Sequence, residues 1–154
     1  DAYEAYAWAV HVAEVTVDLD TYETKVDDYV AVQEVGKVIH PLLAEGQIEG
    51  GVAQGIGFAL SENVVWHDGQ MANPKLSDYF IPTALDIPSI KIHFEEKPHA
   101  RGPSGAKGMG EMPIDGPAPA IVNAIENATG FDLFHVPVTP ESLLAAMETE
   151  VARD

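Results

Sequence analysis

The residues best placed to do chemistry lie in one run, Gly102-Pro103-Ser104-Gly105-Ala106-Lys107-Gly108-Met109-Gly110-Glu111-Met112-Pro113. Four glycines fall within nine residues, and a carboxylate follows, fenced by Gly110 and, two places on, by Pro113. Glycine loses more backbone freedom on folding than any other residue, so a run this dense implies positive φ angles or a close approach to the backbone. Successive N–H groups in such a loop can form an anion-binding nest. The run predicts a loop that wraps an anionic group and aims Glu111 at it. The same residues also fit an ordinary surface turn with a solvated glutamate.

Other chemistries fail on spacing. A phosphate-binding P-loop needs Gly before its Lys and Ser or Thr after it; here Ala106 precedes Lys107 and Gly108 follows. Gly50, Gly51, Gly55 and Gly57 fall inside a helical stripe with no strand feeding them, which excludes a dinucleotide fingerprint. The six histidines show no pair at zinc spacing, and His11 reads as a strand-face residue. No Ser or Asp stands in a nucleophile motif. With no cysteine, the chain itself holds no disulfide, thiol nucleophile or iron–sulfur cluster. No metal ligand set is assigned.

The elements that must position this loop read as follows. Val10, Val12, Val15 and Val17 alternate through 9–17, with one break at Ala13-Glu14, and 25–35 is a second β-rich run beyond the turn residues Asp18 to Glu23. Together they predict an antiparallel hairpin. From Pro41 to about Trp66 the stripe Ile48, Val52, Ile56, Ala59 or Leu60, Asn63 and Val64 predicts a helix, ended by Asp68-Gly69. Each interior glycine costs a helix roughly 1 kcal/mol relative to Ala, so the four there imply a close approach by another element or a bound group. Gln47 and Gln54, seven apart, share a face, and their uncharged amides suit a cofactor's edge as well as plain solvent. The stretch 66–89 reads as an irregular but packed connection, because Tyr79-Phe80-Ile81-Pro82 is too apolar to be free in water; 89–94 is a third strand.

A helix is expected from Asp115-Gly116-Pro117, with Ile121, Ala124, Ile125 and Ala128 on one face and Gly130 as its stop. Its positive end would lie close enough to favour an anion in the preceding loop. A last helix opens at Thr139-Pro140-Glu141, with Leu143, Leu144 and Met147 inward. The expected class is α+β: a hairpin and a further strand packed with a long glycine-containing helix and two C-terminal helices. At 154 residues this is one domain, 1–154. A net charge of −17 with only eight Lys and Arg argues against nucleic-acid and membrane partners. Neither a membrane span nor a signal peptide is legible, and the opening Asp1-Ala2-Tyr3-Glu4 reads as a start in the middle of a longer protein, expected in the cytoplasm.

Several of these stretches together resemble the molybdenum hydroxylases, the xanthine dehydrogenase and aldehyde oxidase family. They are Gly46-Gln47-Ile48-Glu49-Gly50-Gly51-Val52-Ala53-Gln54-Gly55-Ile56-Gly57; Asp78-Tyr79-Phe80-Ile81-Pro82-Thr83 with Asp86-Ile87-Pro88; Gly105-Ala106-Lys107-Gly108-Met109-Gly110-Glu111; Asn123-Ala124-Ile125; and Pro137-Val138-Thr139-Pro140-Glu141. They occur in family order and span nearly the whole chain. The resemblance implies the C-terminal part of the second molybdopterin-binding domain, inactive alone. It makes Glu111 the catalytic general base, taking a proton from a hydroxyl ligand on molybdenum so that water-derived oxygen reaches an electron-poor carbon. Such a base must titrate near working pH, which a water-poor pocket would bring about.

Gln47, Lys107, Gly108, Met109 and Gly110 match cofactor-binding positions, as do Ile39 and His40 within Lys37-Val38-Ile39-His40-Pro41. There the family more often has Asp for Glu34 and Asn for His40. The implied cofactor is molybdenum-molybdopterin, in the cytosine dinucleotide form. Iron–sulfur clusters and FAD would sit on other chains or domains, and the partners would be the rest of the subunit, iron–sulfur and flavin subunits and a small-molecule substrate. The run from Met112 to Pro119 is similar to that of bacterial N-heterocycle hydroxylases (nicotinate- or purine-type), with aldehydes and carbon monoxide left open. The competing expectation is an acidic, non-catalytic assembly module that keeps the fold, to which only the departures at Glu34 and His40 point.

Overall fold

The computed structural model describes residues 5–151, so Asp1-Ala2-Tyr3-Glu4 lies outside the described residues. Strands β1 (Trp8–Val17) and β2 (Thr24–Glu34) form the expected antiparallel hairpin. Its register shifts between Glu14 and Val15, next to the break in the valine alternation. Asp18 makes the turn, its Oδ1 accepting from the amides of Asp20 (2.8 Å) and Thr21 (3.1 Å). Two short strands, β3 (Trp66–His67) and β4 (Gln70–Met71), and then β5 (Ile90–Phe94) follow in the chain. β5 runs parallel to β2, giving the order β1-β2-β5. A parallel neighbour needs a long crossover, and helix α1 (Pro41–Leu60) supplies most of it.

One face of this sheet carries Tyr29, Ala31 and Gln33, fully buried, with Ile90, Ile92 and Phe94 beside them. α1 covers that face together with α2 (Met112–Asp115) and α3 (Pro117–Thr129), and the last helix, α4 (Pro140–Val151), adds Leu143 to the core. The core is Val26, Tyr29, Ile48, Val52, Ile56, Ile121, Ile125, Val138 and Leu143. On the opposite face Trp8, Val10 and Val12 are exposed, with Lys97 Nζ 5.6 Å from the centre of the Trp8 ring.

The glycines of α1 divide by what they touch. A Cβ on Gly51 would overlap the Pro113 ring, and one on Gly55 would lie 2.6 Å from Pro117 Cγ. Both are therefore seats for prolines at the starts of α2 and α3. Gly57 is closed in by Glu62 and Pro82, whereas Gly46 and Gly50 face open space. The implied close approach is made at three of the four interior positions, and by this chain's own residues.

Several expectations need correction. α1 stops at Leu60, not Trp66, because Gly57 O takes the amides of both Ser61 (2.9 Å) and Glu62 (2.8 Å). Asp68 and Gly69, both at positive φ (48° and 76°), turn the β3–β4 hairpin rather than ending a helix, a conformation that Asp-Gly supplies. The helical turn α2 intervenes between the glycine-rich run and α3. The buried face of α3 is Pro117, Ile121 and Ile125, at i, i+4, i+8; Ala128 is exposed, and Gly130 (φ 79°) does end the helix. Thr139 caps α4 through Ser142 N, but of the three inward residues only Leu143 is buried, while Leu144 is exposed.

The 66–89 connection was expected to pack. In this chain Leu76, Phe80, Ile81 and Leu85 are exposed. Polar bonds fix its backbone instead: Tyr79 O–H donates to Glu62 (2.8 Å), Ser61 Oγ to Phe80 O (3.0 Å), and Asn73 Nδ2 to Asn63 O (2.7 Å). Phe80, Ile81 and Leu85 face a cleft of about 930 Å³ shared with the hairpin turn. No described helix is long and apolar enough to cross a membrane.

Candidate functional site

The glycine-rich run is stitched to the end of β2. Gly36 and Ala106 form an antiparallel bridge, Lys107 N donates to Val35 O (2.8 Å) and Lys37 N to Gly105 O (2.9 Å). This geometry needs Gly105 at φ 87°, where a side chain would be strained and would also meet Pro98. Gly102 is likewise internal, since a Cβ there would strike Ala106 O. Gly108 and Gly110 are different: both are exposed, neither has positive φ, and a Cβ on either would meet nothing within 4 Å. The fold of this chain explains the first pair of glycines and leaves the second pair as bare backbone.

α1 meets this bare backbone through Gln47, whose Nε2 donates to Gly110 O at 3.3 Å. Glu111 comes next, exposed, as the residue before α2. Gln47, Gly108, Gly110 and Glu111 thus share one open surface, and Met109 packs inward against the core. Gln54 is also exposed, seven residues on from Gln47, but no bond ties it to the loop. Ile39 and His40 stand at the start of α1, both exposed; His40 caps the helix, its Nδ1 accepting from Leu43 N at 3.3 Å. The N-terminus of α3 does not follow the loop directly: α2, ending in Asp115, lies between them.

The side chain of Lys107 is largely buried. Its Nζ lies 2.6 Å from Glu34 Oε2 and 2.8 Å from Tyr6 O. Burial of Glu34 opposes its ionisation, but the bond from Lys107, the amide of Gly36 on its other oxygen (2.8 Å) and the charges of Lys107 and Lys97 outweigh that. The carboxyl is held below its ordinary value. Sequence reasoning registered Glu34 only as a departure from a family pattern; 73 residues separate it from Lys107, and no local signal joins them.

A second polar cluster lies on the inner sheet face. His11 Nδ1 is 2.8 Å from Tyr29 Oη and its Nε2 is 3.1 Å from Gln33 Nε2, while Gly116 leaves room for the ring. Burial pushes His11 below its ordinary 6.5, partly opposed by the charge of Asp115; burial also pushes the Tyr29 phenol up. The folded chain therefore keeps this imidazole neutral where the unfolded chain would take up a proton. Its contribution to stability is complete above pH 6.5 and falls as pH drops through that value, by at most about 1.4 kcal/mol per pH unit. His11→Gln is expected to flatten the unfolding midpoint between pH 6.5 and 5; an unaltered pH dependence would contradict this. Among the described residues no cluster of His, Asp and Glu could hold a metal ion.

Comparison with known proteins places this geometry. A family model described as a molybdopterin cofactor-binding domain matches residues 1–88, more than half of the chain. The chain belongs to that family, the cofactor-binding domains of the molybdenum hydroxylases. It is 38% identical over 147 residues to aldehyde oxidoreductase of Megalodesulfovibrio gigas, covering 95% of this chain and 16% of that protein. Over 132 residues it is 38% identical to the xanthine dehydrogenase molybdenum-binding subunit of Escherichia coli O157:H7, covering 84% of this chain and 18% of that one. The crystal structure of quinoline 2-oxidoreductase from Pseudomonas putida 86 superposes with a TM-score of 0.85 at 41% identity, over 90% of this chain and 18% of that one. The chain thus spans less than a fifth of the length of each.

Proposed function

We propose that this chain is the C-terminal part of the second molybdopterin-binding domain of a molybdenum hydroxylase, and that it presents Glu111 as general base beside part of the cofactor's cradle. The observation that carries the reading is the contact of Gln47 with Gly110 O, which brings an amide of α1, two bare glycines and the carboxylate onto one open surface. This donor set fits a pterin. Exposed main chain at Gly108 and Gly110 and the Gln47 amide can hydrogen-bond the edges of a flat, nitrogen-rich heterocycle, and glycine lets it approach closely.

The surface does not supply a phosphate site. Its one cation in 107–111, Lys107, is already met by Glu34, so this run offers no free ammonium to the charge of a dinucleotide form. Ile39 and His40, exposed at the start of α1, are assigned to the same proposed cradle.

When bound, the molybdenum centre supplies water-derived oxygen to an electron-poor carbon and accepts two electrons. Beside it the carboxylate of Glu111 would accept a proton and return it to solvent. The substrate is an aldehyde or an N-heterocycle, as the names of the aldehyde, xanthine and quinoline enzymes suggest. Electrons leave through iron–sulfur and flavin groups on other chains or domains, in an assembly of the cytoplasm.

The non-catalytic alternative loses its support, because both departures have structural work: Glu34 pairs with Lys107 and His40 caps α1. Metal and pterin analysis of the complex that co-purifies with this chain tests the reading. About one molybdenum and one released pterin per chain are expected; an assembled complex with neither would refute it.

A further inference from the structure

Resting on the reading of Glu111 as base, we propose that Lys107 is a positioning residue, acting through Glu34 to fix the segment that ends in Glu111, and that its ammonium does not serve the cofactor. The side chains of Lys107 and Glu34 are 13% and 1% exposed. An ammonium carries three donors; two are directed at Glu34 Oε2 and Tyr6 O. Glu34 is itself braced by the Gly36 amide, and the main chains of Lys107 and Val35 are bonded. The segment is thus clamped at Lys107 by β2 and at Gly110 by Gln47, with only Gly108 and Met109 between the clamps. Glu111 follows the second clamp directly. Loosening the first leaves the 3.3 Å bond from Gln47, the bond from Ile114 N to Glu111 O (3.1 Å) and the packing of Met109 to hold the base in place.

Buried pairs have a property that makes this testable. Removing one partner strands a charge, whereas replacing both by apolar groups of similar volume can be nearly neutral. The variants Lys107→Met, Glu34→Leu and the double are compared in the assembled enzyme by unfolding temperature, molybdenum per chain, and kcat per bound molybdenum with KM measured separately. Each single is expected to lower the unfolding temperature and to reduce kcat per molybdenum tenfold or more at little-changed KM; the double is expected to recover at least tenfold over either. A double no better than Lys107→Met overturns the proposal and puts the ammonium on the cofactor. So does a Lys107→Met enzyme with full kcat per molybdenum, or a double that fails to assemble while both singles succeed. If none assembles, Glu34→Asp with Lys107→Arg decides: kcat per molybdenum within about threefold of wild type supports the clamp, and its loss overturns it. Glu111→Gln in parallel separates the two claims, since a fully active Glu111→Gln enzyme removes the base while leaving the Glu34–Lys107 coupling in unfolding temperature and metal content to stand or fall alone.

Discussion

Replacing Glu111 by glutamine is expected to lower kcat of the assembled enzyme by two to four orders of magnitude while leaving its molybdenum content unchanged. A positioned general base contributes about 10²–10⁴-fold, and glutamine keeps the size and hydrogen bonding of the side chain but cannot accept the proton. The metal content should hold because Glu111 is exposed and its side chain makes no cap hydrogen bond to α2. Glu111→Asp withdraws the carboxylate by one methylene and should fall between the two. Loss of molybdenum in Glu111→Gln would instead make the residue a cofactor support, and undiminished kcat would remove it from the chemistry.

The second large effect is steric. Gly51→Ala and Gly55→Ala each add a methyl group where Pro113 or Pro117 already sits, against ring atoms that do not move aside. Overpacking of this kind costs about 1–3 kcal/mol, which outweighs the roughly 1 kcal/mol of helix propensity that Ala gains over Gly. Gly50→Ala, on the same helix but facing open space, supplies the control. In the isolated chain Gly50→Ala is expected to raise the unfolding midpoint, while the other two lower it. In the complete enzyme a destabilising Gly50→Ala would locate a surface of the missing subunit. A stabilising Gly51→Ala would show that α2 does not press on α1.

What was legible in the chain followed local rules. Valine alternation in 9–17 and 25–35 gave the hairpin, and even its break at Ala13-Glu14 fell beside the register shift. The i, i+4 stripe Ile48, Val52, Ile56 gave α1 and its buried face. Of the four interior glycines read as marks of close approach, Gly51, Gly55 and Gly57 are such and Gly50 is not; the prolines against Gly51 and Gly55 come from elements 62 residues further on, out of reach of local pattern. The end of α1 was overrun because Asn63 and Val64 continue the stripe, while the main-chain cap at Gly57 O has no sequence signature. The exposure of Phe80 and Ile81 was missed for a related reason: apolar composition predicts cover but does not say whose. At the site the run ending in Glu111 was visible at once. Its pairing with Gln47, and the commitment of Lys107 to Glu34, arise only when β2, α1 and the loop meet.

The most direct measurement is the rate at which substrate, in a single anaerobic turnover without acceptor, reduces the molybdenum centre in wild-type and Glu111→Gln enzyme matched for molybdenum content. A rate at least a hundredfold slower in Glu111→Gln, at similar substrate affinity, is the result expected if Glu111 is the base. Equal rates would contradict it.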